Sequence, residues 1–249
     1  MRFFAKTERF VKYNPGATLT ELANELETDK GTAKELSWSE AWPEHKTMGY
    51  TRTYEKYMHM HRNSPIKFLE MGICDKRFPF ASQKMWLSYF ENIDLYGMDN
   101  FWGDYLDNRL ADVEQLNFFG SNFIYADQGN FCDWSELKAV IPNDFDFIVE
   151  DGSHWPNHMI VSIWQCKDLL KSGGYYFMED LQNPVTSRGK FRYDNALLTE
   201  EILMWQHTKT LNSVFLNPEQ NRQLDENFEL VEVVLDESAV NYLAVFRKK

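Results

Sequence analysis

The sequence predicts an α/β fold: a doubly wound, mostly parallel sheet with an antiparallel C-terminal hairpin and a helical extension in front. Three observations predict it. From residue 66 onward, short apolar runs of strand length alternate with longer stretches of helical periodicity, the mark of βαβ units. Each of the five parallel runs ends in an acidic residue, and successive acids are spaced by roughly one βα unit. Near the C-terminus two further apolar runs, residues 228–235 and 241–247, flank a turn signal at 236–238 and read as a hairpin closing the sheet. A length of 249 residues suits one such domain with an extension. The expected division is a helical N-terminal extension or lid over residues 1–62 and a ligand-binding domain over residues 63–249.

Taken in order, residues 18–31 form a helix signal: Thr18 and Glu21 make a capping box, and Leu19, Leu22, Ala23 and Leu26 recur at helical spacing before Gly31. Residues 32–49 hold Trp38, Trp42 and Pro43 without periodicity and read as a loop or lid. Residues 50–62 read as a second helix. The five parallel runs are residues 66–71, 95–98, 122–126, 145–149 and 175–178. Between the first two, Met85, Trp86, Tyr89 and Phe90 mark a helix. Between the last two, Pro156 sits where a first-turn proline is tolerated. Ile160, Ile163, Trp164 and Leu170 then give an apolar face that Ser172-Gly173-Gly174 ends.

Composition narrows the function. The formal net charge is −12, the opposite of the basic surface a nucleic-acid binder uses to release counterions. Neither nucleic acid nor an anionic membrane surface is an expected partner. Three scattered cysteines, Cys74, Cys132 and Cys166, suggest no disulfide framework and no zinc site. No apolar stretch has the length of a signal peptide or a membrane span, so a cytoplasmic protein is the expectation. Aromatic residues reach 16%, which suits aromatic-lined pockets.

The acids ending the parallel runs are Glu70, Asp99, Asp127, Asp151 and the pair Glu179-Asp180. In a doubly wound sheet the carboxyl ends of the strands share the ligand-binding edge. Clustered anions repel, so packing does not account for them. A metal, a cation or a polyhydroxylated ligand does. The alternative is that each acid caps the helix after its strand. Gly72 comes just after the first run and lets backbone approach a ligand. No G-x-G-x-x-G succeeds it, so the pyrophosphate cradle of dinucleotide folds is missing. S-adenosyl-L-methionine fits such a site, with Asp99 accepting from the ribose hydroxyls and Asp127 from the adenine amino group.

Two segments carry a family resemblance: Phe145 through Asp151-Gly152-Ser153-His154, and Gly173-Gly174-Tyr175-Tyr176 through Glu179-Asp180. Thr28-Asp29-Lys30-Gly31, Gly49-Tyr50-Thr51, Tyr96-Gly97-Met98-Asp99 and Ala126-Asp127-Gln128 add to it. Over residues 18–185 the chain resembles the macrolide-sugar O-methyltransferases of the mycinamicin and macrocin type. The resemblance implies a Rossmann-like class I methyltransferase fold that binds S-adenosyl-L-methionine and Mg²⁺ or another divalent cation. It implies metal ligation by Asp151, Glu179 and Asp180, with Asp151 and His154 catalytic and His154 the general base. It groups Thr28, Lys30, Tyr50, Glu70, Gly72, Asp99, Asn100, Asp127, Gln128 and Asp151 as cofactor-binding. It also suggests a homo-oligomer. The chain departs from the family in a glycine-poor loop over residues 73–80, in Glu150 where an Asp is usual, and in an insertion over residues 33–47.

The chemistry fits those residue types. A sulfonium methyl is already a strong electrophile, so the difficulty is the hydroxyl nucleophile. A divalent ion lowers the pKa of bound water by roughly 8 units. Three carboxylates suit Mg²⁺ better than Zn²⁺. A histidine with a pKa near neutrality suits proton acceptance. The expected activity is methylation of a hydroxyl on a sugar-like small molecule, whether an antibiotic, capsule or nucleotide-linked sugar. The alternatives are a phenolic or other small-molecule acceptor, and a non-enzymatic nucleotide or sugar binder.

Overall fold

Apolar side chains alternate with short polar breaks along the whole chain, and the elements form where those runs are buried. The computed structural model describes residues 2–6, 9–33, 37, 47–73, 80–100, 120–181, 192–235 and 242–249. It divides into two compact units, Met1–Asp127 and Gln128–Lys249.

In the N-terminal unit, strands β1 (Arg2–Phe4), β2 (Ile66–Met71), β3 (Ile93–Asp99) and β4 (Ser121–Tyr125) lie in the order β1-β4-β3-β2. β2 and β4 run parallel to β3 on either side, with Ile66 opposite Ile93 and Leu95 opposite Ser121. β1 is antiparallel to β4, Arg2 facing Tyr125. The helices are α1 (Leu19–Glu25), α2 (Thr51–Met58), extended by a 3₁₀ turn over His59–His61, and α3 (Ala81–Tyr89). The Thr18 and Glu21 side chains each accept the other's backbone N–H, at 3.2 and 2.7 Å, so α1 starts on the predicted capping box. α3 is buried on almost every residue, its polar Ser82, Gln83 and Ser88 included. Trp86 on α3 meets Tyr54 edge-on at 5.4 Å and Phe68 of β2 at 4.7 Å, centring this unit's core.

The C-terminal unit contains α4 (Phe131–Lys138), β5 (Phe145–Glu150), α5 (Pro156–Cys166), β6 (Leu170–Met178), α6 (Arg192–Thr208), α7 (Pro218–Asn227), β7 (Phe228–Leu235) and β8 (Tyr242–Lys248). Its strand order is β5-β6-β8-β7. β5 and β6 are parallel; β8 is antiparallel to β6 and to β7. Every residue of β5 is buried, as expected of a strand covered on both faces. The turn expected at 236–238 lies outside the described residues, but its flanking strands pair as a hairpin would, Leu235 opposite Tyr242.

Two expectations need correction. The helix after residue 156 ends at Cys166, and Leu170 opens β6 instead of completing the helix face. Ser172-Gly173-Gly174 therefore lies within a strand. The β5–β6 register shifts there, Gly173 has φ +81°, and a Cβ on Gly174 would stand 2.9 Å from the Asp146 carbonyl oxygen. The glycines serve an irregular, close-packed strand. Strand β1 and helices α4, α6 and α7 add to the elements read from the sequence. Among the described residues no helix is long and apolar enough to cross a membrane.

Candidate active site

In the C-terminal unit the chain leaves the buried end of β5 at Asp151 and reaches the first turn of α5 at Pro156. Within that short passage His154 has φ +54°, and Asp180, just past β6, has φ +56°. Left-handed backbone is costly for residues with a Cβ and concentrates at functional sites. His154 and Asp180 are two of five such non-glycine residues among those described, and they stand together. The His154 ring lies between two carboxylates: Nε2 is 3.9 Å from Asp151 Oδ1 and Nδ1 is 3.8 Å from Asp180 Oδ2. These are ion-pair separations, too long for hydrogen bonds. One ligand atom from each of Asp151, His154 and Asp180 falls within 4.8 Å of the others. Donors about 2.1 Å from a common Mg²⁺ stand within such a span, so this set fits a divalent cation.

Glu179 stands outside that group. It is 2% exposed, and its N–H donates to the Glu150 carbonyl at 3.0 Å. Sequence reasoning thus named Asp151, His154 and Asp180, which the structure gathers, together with Glu179, which is not in that group.

Behind the turn lies a buried polar assembly that the sequence reading did not find. Glu150 is fully buried; its Oε1 accepts from Gln128 Nε2 at 2.8 Å and from the Gly152 N–H at 3.3 Å, while Oε2 has no hydrogen-bond partner among the described residues. Burial pushes the Glu150 carboxyl up to about 7, against the opposing pull of the Gln128 hydrogen bond and His154. Gln128 Oε1 accepts the Ser153 N–H at 2.9 Å. A Cβ on Gly152 would lie 1.7 Å from that same oxygen, so any larger residue there would displace the Gln128 carboxamide. Ser153 Oγ bonds His158 Nδ1 at 3.0 Å, and His158 stacks on the partly exposed Trp155. The available signal was Ser162, a polar residue on the apolar face of α5, which stands 3.4 Å from Gln128 Nε2.

In the N-terminal unit, Glu70 lies one residue before the end of β2 and is fully buried under α3, where Gln83 Nε2 donates to it. Gln83 Oε1 in turn accepts from Ser121 Oγ at 2.6 Å. The chain turns at Gly72 with φ +80°, and its N–H reaches the Met98 carbonyl at 2.8 Å. The next N–H, of Ile73, donates to Asp99 Oδ2 at 3.0 Å. Asp99, Asn100 and Asp127 are half-buried, Asp99 ending β3 and Asp127 lying just past β4. Thr28, Lys30 and Tyr50 are buried, at 1, 2 and 2% exposure, and the Lys30 carbonyl accepts the Thr51 N–H at 3.2 Å. A lysine sealed to that degree is rare without a specific purpose. Residues 74–79, most of the glycine-poor loop, lie outside the described residues, as do 34–36 and 38–46 of the insertion.

No protein-family model matches the chain. Among curated proteins it is 30% identical over 137 residues to a rhamnosyl-tetracenomycin-C 3'-O-methyltransferase of Streptomyces olivaceus, covering 53% of this chain and 32% of that protein. It is 26% identical over 135 residues to the mycinamicin VI 2''-O-methyltransferase of Micromonospora griseorubida, covering 53% and 31%. Among solved structures, the MycE methyltransferase of mycinamycin biosynthesis, in complex with Mg, SAH and mycinamycin VI, aligns with a TM-score of 0.60 at 19% identity, over 94% of this chain and 55% of that one. The chain thus spans about a third of the length of these curated relatives and about half of the MycE chain. Its fold is shared with the MycE methyltransferase, and its sequence is similar to curated O-methyltransferases of the kind the motifs had suggested.

Proposed function

We propose that the chain is an S-adenosyl-L-methionine-dependent O-methyltransferase that acts with a divalent cation, Mg²⁺ by preference, on a sugar hydroxyl of a small molecule. The observation that carries this reading is the meeting of Asp151, His154 and Asp180 at the carboxyl ends of the paired strands β5 and β6. The similarity to sugar O-methyltransferases of antibiotic biosynthesis supports the substrate class. The absence of a disulfide or zinc pattern in its cysteines supports a cytoplasmic location.

In this reading S-adenosyl-L-methionine, when bound, supplies the methyl group, and the dication lowers the pKa of the acceptor hydroxyl. Asp151 and Asp180 hold the ion, with Glu179 as a further carboxylate. His154, between the two aspartates, accepts the hydroxyl proton at a ring nitrogen; the flanking carboxylates stabilise the imidazolium that results. Asp99 and Asn100 orient the ribose, Asp127 orients the adenine, and Gly72 gives the cofactor backbone without a side chain in the way. Thr28, Lys30 and Tyr50 hold the methionine end, where the Lys30 ammonium complements a carboxylate.

The test is methyl transfer to glycosylated and aromatic acceptors, read by mass shift, with EDTA and Mg²⁺ add-back. Loss of turnover with chelator and recovery with Mg²⁺ is expected. Full activity in EDTA contradicts the metal role. A His154→Gln variant that binds Mn²⁺ normally but turns over slowly fits the base; loss of Mn²⁺ binding makes His154 a ligand.

A further inference from the structure

We propose that Gln128 is a positioning residue for the 150–154 turn, and that its carboxamide sets how tightly the C-terminal unit binds a divalent cation. The inference rests on the metal reading above and concerns a residue that the family resemblance groups with the cofactor.

The carboxamide of Gln128 is 93% buried with the rest of its residue and is engaged at both ends. Nε2 donates to Glu150 Oε1 at 2.8 Å, and Oε1 accepts the Ser153 N–H at 2.9 Å. Those two partners bracket Asp151, and Ser153 directly precedes His154. One planar group therefore ties both shoulders of the turn that carries Asp151 and His154. The tie is itself anchored: the Gln128 carbonyl accepts Trp134 Nε1–H at 2.8 Å, and Trp134 is 1% exposed. Gly152 lies against the same carboxamide oxygen so closely that a Cβ there would push the carboxamide aside. Ser153 is held from a second side by His158, through Oγ.

A side chain used only to fill space would need neither the donor nor the acceptor in these positions. Glutamine supplies one of each, fixed in a plane. Removing it leaves Glu150 Oε1 with only the longer Gly152 contact and the Ser153 N–H without its acceptor. The turn then has lost the tie that fixes Asp151 and His154 relative to Asp180. Groups behind metal ligands typically change affinity by about 10- to 100-fold when altered.

The experiment is Mn²⁺ titration of the full chain, monitored by electron paramagnetic resonance, for wild type, Gln128→Leu, Gln128→Glu and the exchange variant Gln128→Glu/Glu150→Gln. Each is first checked for folding by circular dichroism, and binding of S-adenosylhomocysteine is measured by calorimetry in parallel. Gln128→Leu should bind Mn²⁺ about 10- to 100-fold more weakly while still binding the nucleoside. Gln128→Glu, which sets a carboxylate against Glu150, should be worse. The exchange variant again faces a donor with an acceptor and should recover most of the affinity, even if Gln128→Leu fails to fold. A wild type that binds Mn²⁺ with Gln128→Leu equal to it, or an exchange variant no better than Gln128→Glu, overturns the inference and leaves the metal reading standing. Loss of nucleoside binding with Mn²⁺ affinity intact also overturns it. A wild type that binds no Mn²⁺ overturns both.

Discussion

Glu70 near the end of β2 and Asp151 just past β5 hold comparable places on parallel strands, yet their surroundings differ. Glu70 is sealed under α3 and takes a hydrogen bond from Gln83, which is itself tied to Ser121. Asp151 stands half-buried beside His154, with Asp180 on the far side of the same ring. The first acid is locked into packing; the second belongs to a group whose spacing suits an ion. An acid at a strand end is therefore not one kind of signal. What differs is the partner each acid meets: the Gln83 carboxamide for Glu70, the His154 ring for Asp151.

The largest effect expected from breaking this contrast is at Asp151. Asp151→Asn should lower turnover by about a thousandfold, the several kcal/mol a metal supplies, and abolish Mn²⁺ binding. Gly152→Ala drives a Cβ into the Gln128 carboxamide. It should cost about 1–3 kcal/mol of stability, read from chemical denaturation, and weaken Mn²⁺ binding as well. Gln83→Leu leaves Glu70 buried without its donor, at a cost of about 1–3 kcal/mol. It should lower the melting temperature and nucleoside affinity while Mn²⁺ affinity stays at the wild-type value. Equal loss of metal affinity from Gln83→Leu would erase the contrast. Smallest is Thr18→Ala, which removes the α1 cap for about 1 kcal/mol and should leave both ligands bound as before.

Much of this architecture is legible in the chain because burial and periodicity agree. Runs such as Ile66–Met71 and Phe145–Glu150 are mostly apolar and almost wholly buried, as suits strands covered on both faces. Strand β1 is three residues long and owes its form to pairing with β4, a long-range contact that no local pattern announces. Helix α6 did carry a signal, since Leu198, Ile202 and Trp205 recur at i, i+4 and i+7 and are buried. Helix α7 begins on a capping box formed by Asn217 and Gln220 just before a first-turn proline, also visible in sequence. The glycines at 173–174 misled because a helix stop and a strand irregularity use the same residue for the same freedom.

Within the site, motif and spacing reached Asp151, His154 and Asp180, because each lies just past a strand or shares its turn. They did not reach the Gln128–Glu150 pairing. Those residues are 22 apart, and only the packing of the turn brings an amide against a carboxylate. Nor did they distinguish Glu179 from Asp180. Asp180 falls within the group that fits a cation, and its left-handed backbone has no sequence signature.

The proposed metal centre requires Asp151 and Asp180 to grip one dication with His154 beside it. Calorimetric titration with Mn²⁺, of the metal-stripped wild-type chain and of Asp151→Asn/Asp180→Asn, puts that requirement to the test. Saturable binding of a single ion by the wild type and none by the double variant is expected. Undiminished binding by the double variant would contradict the assignment of these residues to the ion.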